Sequence, residues 1–266
     1  MPRSATANID VDTGIPVGAA GPRKRWYHLD TFNKKPNKDA AFTISNTSDS
    51  DRSAEIETFF ESDEYWELAG ADAQFSDLGF AAAGGLNLKT DTTSVDQAAL
   101  LPLTVADFVT GMTTVTFDTT KRPAAEFGIT TSADIGSQTI WAGFALTHTD
   151  PYDTTTDADQ IKVEYVAGAN SGVFMIRYSI GGTDTAINTA ITVKASTAYW
   201  IKIAVDQSRF GNVWIGEGSE PGAAKHFKTA SALTSLTTLQ PTVGIQTGEG
   251  AEHNIDVNYI ALGRDR

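Results

Sequence analysis

Strict alternation of apolar and polar residues in the second half of the chain is the feature that most constrains its fold. A period of two places every second side chain on the same face of a half-buried strand. No segment of comparable length repeats with the 3.6-residue period of an amphipathic helix. The sequence therefore predicts an all-β protein, with these inward-facing residues: Ile140, Ala142, Phe144 and Leu146; Ile161, Val163 and Tyr165; Phe174, Ile176, Tyr178 and Ile180; and Tyr199, Ile201, Ile203 and Val205.

Turn-forming clusters separate these segments and predict successive hairpins. They occupy residues 147–159, 167–172 and 180–185, where Gly can adopt a positive φ and Asp or Asn can bond to its own backbone. The last predicted strand, 254–263, has Ile255, Val257 and Tyr259 facing inward, and such a strand usually closes against an early strand of the same sandwich. We expect two antiparallel sheets.

Composition excludes several classes of function. The 33 acidic residues outnumber the 20 Lys and Arg residues, and a formal net charge of −13 disfavours binding to nucleic acid. The absence of Cys removes disulfides, thiolate metal ligands and a Cys nucleophile. Neither a signal-peptide core nor a run of ~18 apolar residues occurs, which predicts a soluble protein made in the cytoplasm, without a membrane partner.

The first 25 residues differ in composition from the rest of the chain. They are rich in Gly, Pro and Ala and end in the basic run Arg23, Lys24 and Arg25, just before Trp26 and Tyr27. We predict an extended N-terminal arm over 1–25 and one sandwich domain over 26–266; a disordered terminus is the alternative that composition leaves open. Residues 21–38 are basic and residues 49–77 acidic, which suits docking between subunits.

Catalytic patterns are weak in this sequence, and we predict no enzyme activity. Retaining glycanases need two carboxylates about 5 Å apart, and only Glu55 and Glu57 could share a strand face here, without the neighbours that complete the pattern. A Ser–His–Asp triad stays open, although no Gly-x-Ser-x-Gly elbow is present. The histidines lack zinc-binding spacing and stand singly at His28, His148, His226 and His253.

The predicted loop at 147–159 carries carboxylates that could bind calcium. Asp150, Asp153, Asp157 and Asp159 supply hard oxygen ligands close together, although their spacing is not that of an EF-hand. The alternative is a polar turn whose carboxylates cap backbone N–H groups. We otherwise expect no cofactor.

Trp200 and Trp214 raise the hypothesis of sugar binding, because flat indole rings can stack on sugars. Both lie on the strand faces opposite to Ile201 and Val213, so we expect one or both to point away from the core. Core or subunit-interface aromatics are the alternative.

Two levels of resemblance extend this interpretation. The hairpin at 199–218 resembles that of concanavalin-like, laminin-G-like sandwiches, and segments 84–102, 140–165 and 175–215 resemble structural proteins of tailed bacteriophages. The resemblance implies an all-β, two-sheet antiparallel jelly roll that acts as a capsid decoration or cement protein. Gly216 stands where sugar-binding relatives often have Asn, which speaks against lectin activity.

The resemblance implies a virion protein that binds the major capsid protein on the outer surface of the head and self-associates as a dimer or trimer. The expected capsid contacts lie in and beside the arm, at Arg3, Arg23, Lys24, Arg25, Trp26 and Tyr27. The alternative is a carbohydrate-binding adhesin domain of a phage fibre or spike, with Trp200 and Trp214 as stacking platforms. An active glycanase is the third hypothesis.

Overall fold

A computed structural model describes residues 25–32, 35–37, 62–71, 73, 77–92, 95–102, 117–146, 158–218 and 223–265. These residues form seventeen strands and two short 3₁₀ turns. In chain order the strands are β1 (Arg25–Asp30), β2 (Lys35–Asn37), β3 (Ser62–Ala69), β4 (Leu78–Phe80), β5 (Leu86–Lys89), β6 (Gln97–Pro102), β7 (Phe117–Asp118), β8 (Ala124–Thr131), β9 (Gln138–Ala145), β10 (Gln160–Val166), β11 (Val173–Ile180), β12 (Thr183–Thr192), β13 (Ala198–Val205), β14 (Phe210–Glu217), β15 (Lys225–Ala232), β16 (Thr238–Thr247) and β17 (Asn254–Asp265).

The strands form two sheets that pack face to face. The first sheet has eight strands, in the order β15-β14-β13-β8-β17-β5-β4, with β1 also paired to β17. The second has nine, in the order β12-β11-β10-β9-β16-β6-β3-β2, with β7 beside β16. All pairs are antiparallel except β2 with β3. The predicted two-sheet antiparallel jelly roll is confirmed.

One hydrophobic core fills the space between the sheets. Except for Tyr259, the residues predicted to face inward belong to it, and of these only Leu146 and Ile180 are partly rather than fully buried at its margin. Phe174 of the second sheet meets Tyr199 of the first edge-on, with ring centroids 5.0 Å apart. Aromatic pairs of this geometry add to the free energy gained from burial alone.

The long last strand, β17, organises the first sheet. Along one side it pairs with β8, and along the other with β5 through Asn254–Val257 and with β1 through Ile260–Asp265. The prediction that the last strand closes against an early strand is thus confirmed. A β-bulge between Val257 and Tyr259 inserts one extra residue into β17. The side chains after it therefore point to the opposite faces of the sheet from those that strict alternation predicts. The prediction that Tyr259 faces inward is wrong for this reason.

Strand β1 ties the start of the sandwich to both sheets. Asp30 is buried and accepts a 2.9 Å hydrogen bond from the indole Nε1 of Trp66 in β3, and a 2.7 Å bond from the backbone N–H of Phe32. Pairing of β1 begins at Arg25, the last residue of the predicted arm; residues 1–24 lie outside the described part of the chain. Among the described residues no helix is long and apolar enough to cross a membrane.

Candidate functional site on the outer face of the first sheet

A row of side chains crosses the outer face of the first sheet. Its members are opposite one another on neighbouring strands, where side chains are close enough to interact. From β15 to β1 the row is His226, Trp214, Lys202, Glu126, Ala261 and Leu29. This aromatic row puts an indole, an imidazole, a cation and a carboxylate on one face of the sheet, with Lys202 and Ala261 buried between more exposed neighbours.

Trp214 is the partly exposed aromatic platform of the row. The imidazole of His226 stacks on its indole, with centroids 4.7 Å apart and an angle of 23° between the planes. The Nζ atom of Lys202 lies 5.6 Å from the centre of the same indole, a cation–π distance. His226 Nε2 is 3.1 Å from Oδ1 of Asn212, which fixes the imidazole in the stacked position.

Glu126 is the hydrogen-bonded centre of the face. Its Oε1 atom accepts a 2.7 Å bond from Nε1 of Trp200 and a 2.9 Å bond from the hydroxyl of Tyr259. Burial and the negative charge of Glu126 raise the pKa of Tyr259. The phenol therefore stays neutral and donates a hydrogen bond to Glu126. A Cβ at Gly128 would lie 2.4 Å from the ring of Tyr259, which shows how closely the ring lies against β8.

A second group of polar contacts flanks the row at the β13–β14 turn. Asp206 accepts a 2.9 Å bond from Nζ of Lys228, and that Nζ also lies 4.5 Å from the ring centre of Phe210. The carboxylate further accepts bonds from the backbone N–H groups of Ser208 and Phe210. Burial alone would raise the pKa of Asp206, but the Lys228 ammonium and these donors together lower it.

The open cleft of this face lies beside Tyr259, where β17 has no strand partner on one edge. Pairing with β5 ends at Val257 and pairing with β1 begins at Ile260, so the backbone between them borders a gap. The cleft has a volume of about 570 Å³, within the range of small-molecule sites. We call it the Tyr259 cleft; its lining residues are Thr31, Ala83, Gly84, Gly85, Thr130, Asn258 and Tyr259.

The two glycines of this cleft have different roles. A Cβ at Gly85 would lie 2.5 Å from the carbonyl oxygen of Val257, so the β4–β5 hairpin can approach β17 only with glycine there. A Cβ at Gly84 would meet nothing within 4 Å. Gly84 therefore borders open space, and the hairpin forms one wall of the cleft.

The outer face of the second sheet is closed by comparison. Trp141 and Lys162 are fully buried there, and Glu164 is 2% exposed and ion-paired with Arg177. A cleft of about 200 Å³ remains at its edge, bordered by polar side chains that include Gln160, Arg177, Ser179 and Asp184. An indole that is fully buried has no face to offer a ligand.

The two tryptophans predicted as stacking platforms differ in exposure. Both point away from the core, as predicted, but Trp200 is only 5% exposed and its indole N–H is used to hold Glu126. We correct the interpretation of Trp200 as a stacking platform, because its indole is buried and its N–H is bonded to Glu126; of the two tryptophans, only Trp214 offers a surface to a sugar. Tyr27 lies on the same face, opposite Gly263, where burial and the charge of Glu126 raise its pKa.

The other predicted site residues are described in part or not at all. Arg3, Arg23 and Lys24 lie outside the described residues, as do Asp150, Asp153, Asp157, Glu55 and Glu57, and the side chains of Arg25 and Trp26 are not described. Asp159 is buried, and its Oδ1 faces the backbone N–H groups of Gly181 and Thr234 at 3.5 and 3.4 Å. Within the described ranges, no three His, Asp or Glu side chains are grouped to hold a metal ion.

Sequence reasoning missed the centre of this site. Glu126 alternates with the inward-facing Ala125 and Phe127, and that alternation was the signal that would have placed it on the outer face. Tyr259 carried no such signal, because the bulge that turns it outward is set by tertiary pairing.

Comparison with protein-family models and with curated proteins finds no match. Solved structures do match over most of the chain. A protein of unknown function from Shewanella oneidensis has a TM-score of 0.58 at 13% identity, covering 91% of this chain and 87% of that one. Peanut lectin, solved with a nine-residue peptide, has a TM-score of 0.55 at 8% identity, covering 91% and 97%.

The fold also occurs in an enzyme. A family 7 alginate lyase, solved with its substrate, has a TM-score of 0.51 at 10% identity, covering 76% of this chain and 93% of that one. The chain thus has a concanavalin A-like, legume-lectin type jelly-roll fold. Nothing in these comparisons points to a phage capsid, and with lectins and a lyase on one fold the absence of catalysis stays a prediction.

Proposed function

We propose that this chain is a carbohydrate-binding domain whose ligand surface is the outer face of the first sheet. The observation that carries the proposal is the partly exposed indole of Trp214, held by His226 and flanked by Lys202 on a face that also holds the Tyr259 cleft. Aromatic rings bind sugars by contact with their C–H faces, and fixed polar groups beside the ring orient the hydroxyls.

Pre-organisation of this face supports the same function. The indole of Trp214 contacts His226 and Lys202, and the carboxylate of Glu126 accepts bonds from Trp200 and Tyr259. A side chain that is already fixed loses little conformational entropy when a ligand binds. Similarity in fold to peanut lectin agrees with the proposal but does not extend that protein's ligands to this chain.

The test is glycan binding by Trp214→Ala, with Trp214→Phe as a variant that keeps a flat ring. Thr185→Ala, an exposed position on the second sheet, is the matched control. We expect Trp214→Ala to weaken binding to a glycan array at least about tenfold, Trp214→Phe to retain most of it, and Thr185→Ala to leave it unchanged. Binding unaffected by Trp214→Ala would contradict the proposal.

The biological setting remains a set of predictions from the sequence resemblance. Location on a phage fibre, spike or capsid, contacts with the major capsid protein and self-association all belong to that set. Calcium binding stays a separate prediction, from the aspartates of the loop at 147–159. Capsid decoration gains no support from the geometry of the described residues.

A further inference from the structure

The Tyr259 cleft has a lining that indicates what kind of sugar it accepts. Its polar side chains are the hydroxyls of Thr31 and Thr130, the amide of Asn258 and the phenol of Tyr259. Thr hydroxyls and the Asn amide carry no charge, and the Tyr259 hydroxyl is neutral because it donates a hydrogen bond to Glu126. Among the described residues, the groups that line the cleft therefore supply no counter-ion for a charged ligand.

A negative charge lies next to the cleft, behind the Tyr259 hydroxyl. The Glu126 carboxylate lies 2.9 Å from the Tyr259 hydroxyl, and the whole chain carries a net charge of −13. An anionic sugar would meet repulsion, and the described lining residues include no cation to compensate it. An uncharged sugar can exchange hydrogen bonds with the hydroxyls and the amide at no such cost.

The apolar wall of the cleft is fixed in place. One side of the Tyr259 ring lies against Gly128, and its hydroxyl is held by Glu126, so the ring has little freedom to rotate. The amide Nδ2 of Asn258 donates a 3.0 Å hydrogen bond to the hydroxyl of Thr130. This bond fixes the amide of Asn258, whose oxygen is an acceptor for a ligand. A fixed ring beside oriented polar groups matches a pyranose, which has an apolar C–H face and hydroxyls at its rim.

We infer that the Tyr259 cleft binds one uncharged sugar unit of an oligosaccharide whose other units extend across the sheet to Trp214. The inference rests on the proposed function and adds its ligand class. Strands β17 and β14 are three strand spacings apart, about 14 Å. An oligosaccharide can span that distance and a single sugar ring cannot, so both contacts require a chain.

The test blocks the cleft with substitutions on two of its sides and leaves the side chains of the aromatic row unchanged. Thr31→Trp and Ala83→Trp each place a bulky ring at an exposed position on the rim, and Thr185→Trp is the control that adds the same ring at an exposed position on the second sheet. The probes are cellohexaose, mannohexaose and maltohexaose as neutral chains and hexagalacturonate as an anionic chain. Binding to the full-length protein is measured by calorimetry, and urea midpoints check the fold of every variant.

We expect at least one neutral hexasaccharide to bind more tightly than hexagalacturonate, with affinity at least tenfold weaker in Thr31→Trp and Ala83→Trp and unchanged in Thr185→Trp. Neutral binding that is lost in Trp214→Ala but unaffected by filling the cleft would overturn this inference and leave the proposed function standing. Tighter binding of hexagalacturonate would overturn it as well. An affinity that is unchanged in both cleft variants and in Trp214→Ala would overturn the two proposals together.

Discussion

The outer faces of the two sheets use the same packing arrangement but differ in accessibility. On the first sheet the ring of Tyr259 lies against Gly128, and on the second the ring of Trp141 lies against Gly244, where a Cβ would approach each ring to 2.4 Å. Tyr259 is partly exposed, whereas Trp141 is fully buried. Aromatic content alone therefore does not identify a binding face; the exposed fraction of the ring does.

Charged groups follow the same division. On the second sheet the Glu164 side chain is 2% exposed and its partner Arg177 34%, whereas on the first the Lys228 and Asp206 side chains are 47% and 33% exposed. A buried pair is required for stability once formed, because loss of one partner leaves an unpaired charge out of water. An exposed pair contributes little to stability, because water already solvates both charges.

Removing the cation of each pair gives the largest predicted effect. Arg177→Ala should lower the free energy of unfolding by about 3 kcal/mol, the low end of the range for breaking a buried pair, because Arg177 itself is a third exposed. Lys228→Ala should cost less than about 1 kcal/mol. Urea unfolding of both variants measures the difference, and equal losses would show that the two faces do not differ in this way.

Removing the carboxylate at the centre of the first sheet should cost about 2 kcal/mol. In Glu126→Ala the indole N–H of Trp200, which is 5% exposed, loses its acceptor, and leaving such a donor unpaired costs roughly 1–3 kcal/mol. Glu126→Gln keeps an oxygen acceptor and should cost less. A Glu126→Ala variant with wild-type stability would show that the hydrogen bonds of this centre are not formed in solution.

Filling the two glycine positions sharpens the comparison further. Gly244→Ala should cost about 2 kcal/mol, because Trp141 is enclosed and the carbonyl oxygen of Ala98 is also only 2.9 Å away. Gly128→Ala should cost about 1 kcal/mol, since the partly exposed ring of Tyr259 can move towards solvent. Glycan binding should decrease in Gly128→Ala alone. Decreased binding in Gly244→Ala at unchanged stability would instead place the ligand on the second sheet.

The smallest predicted effect is a pH dependence at Asp206. Burial would raise its pKa, but Lys228 and the backbone donors outweigh burial and lower it. The stability from this lowered pKa is present above the unfolded value of about 3.9 and is lost as pH falls through the folded value. The free energy of unfolding of wild type should therefore exceed that of Asp206→Asn by less than about 1 kcal/mol at pH 7, and this difference should disappear below about pH 4. A gap that widens in acid would contradict this assignment.

The sequence predicted the fold well because alternation records burial directly. Strands β9, β10, β11 and β13 were predicted with the correct inward face, since the core requires one apolar side chain at every second position. Alternation also placed Trp214 on the outer face. It could not distinguish Trp214 from Trp200, because the exposure of a side chain on an outer face is set by packing with residues distant in sequence.

The remainder of the site depends on features that a local pattern does not contain. Tyr259 turns outward through a bulge in the pairing of β17 with β8, and the Tyr259 cleft exists because β5 and β1 leave part of β17 uncovered. Both are consequences of which strands pair, with partners more than a hundred residues distant along the chain. Alternation within one strand holds no information about them.

The central claim is that glycan binds on the outer face of the first sheet, and the five tryptophans of the chain allow a direct test. The indole N–H signals of ¹⁵N-labelled protein would be followed by NMR during titration with the neutral hexasaccharide that binds best. We expect the largest shift at Trp214, a smaller one at Trp200 through Glu126, and none at the fully buried Trp66 and Trp141. A shift at Trp141 with no change at Trp214 would place the ligand on the second sheet and contradict the account.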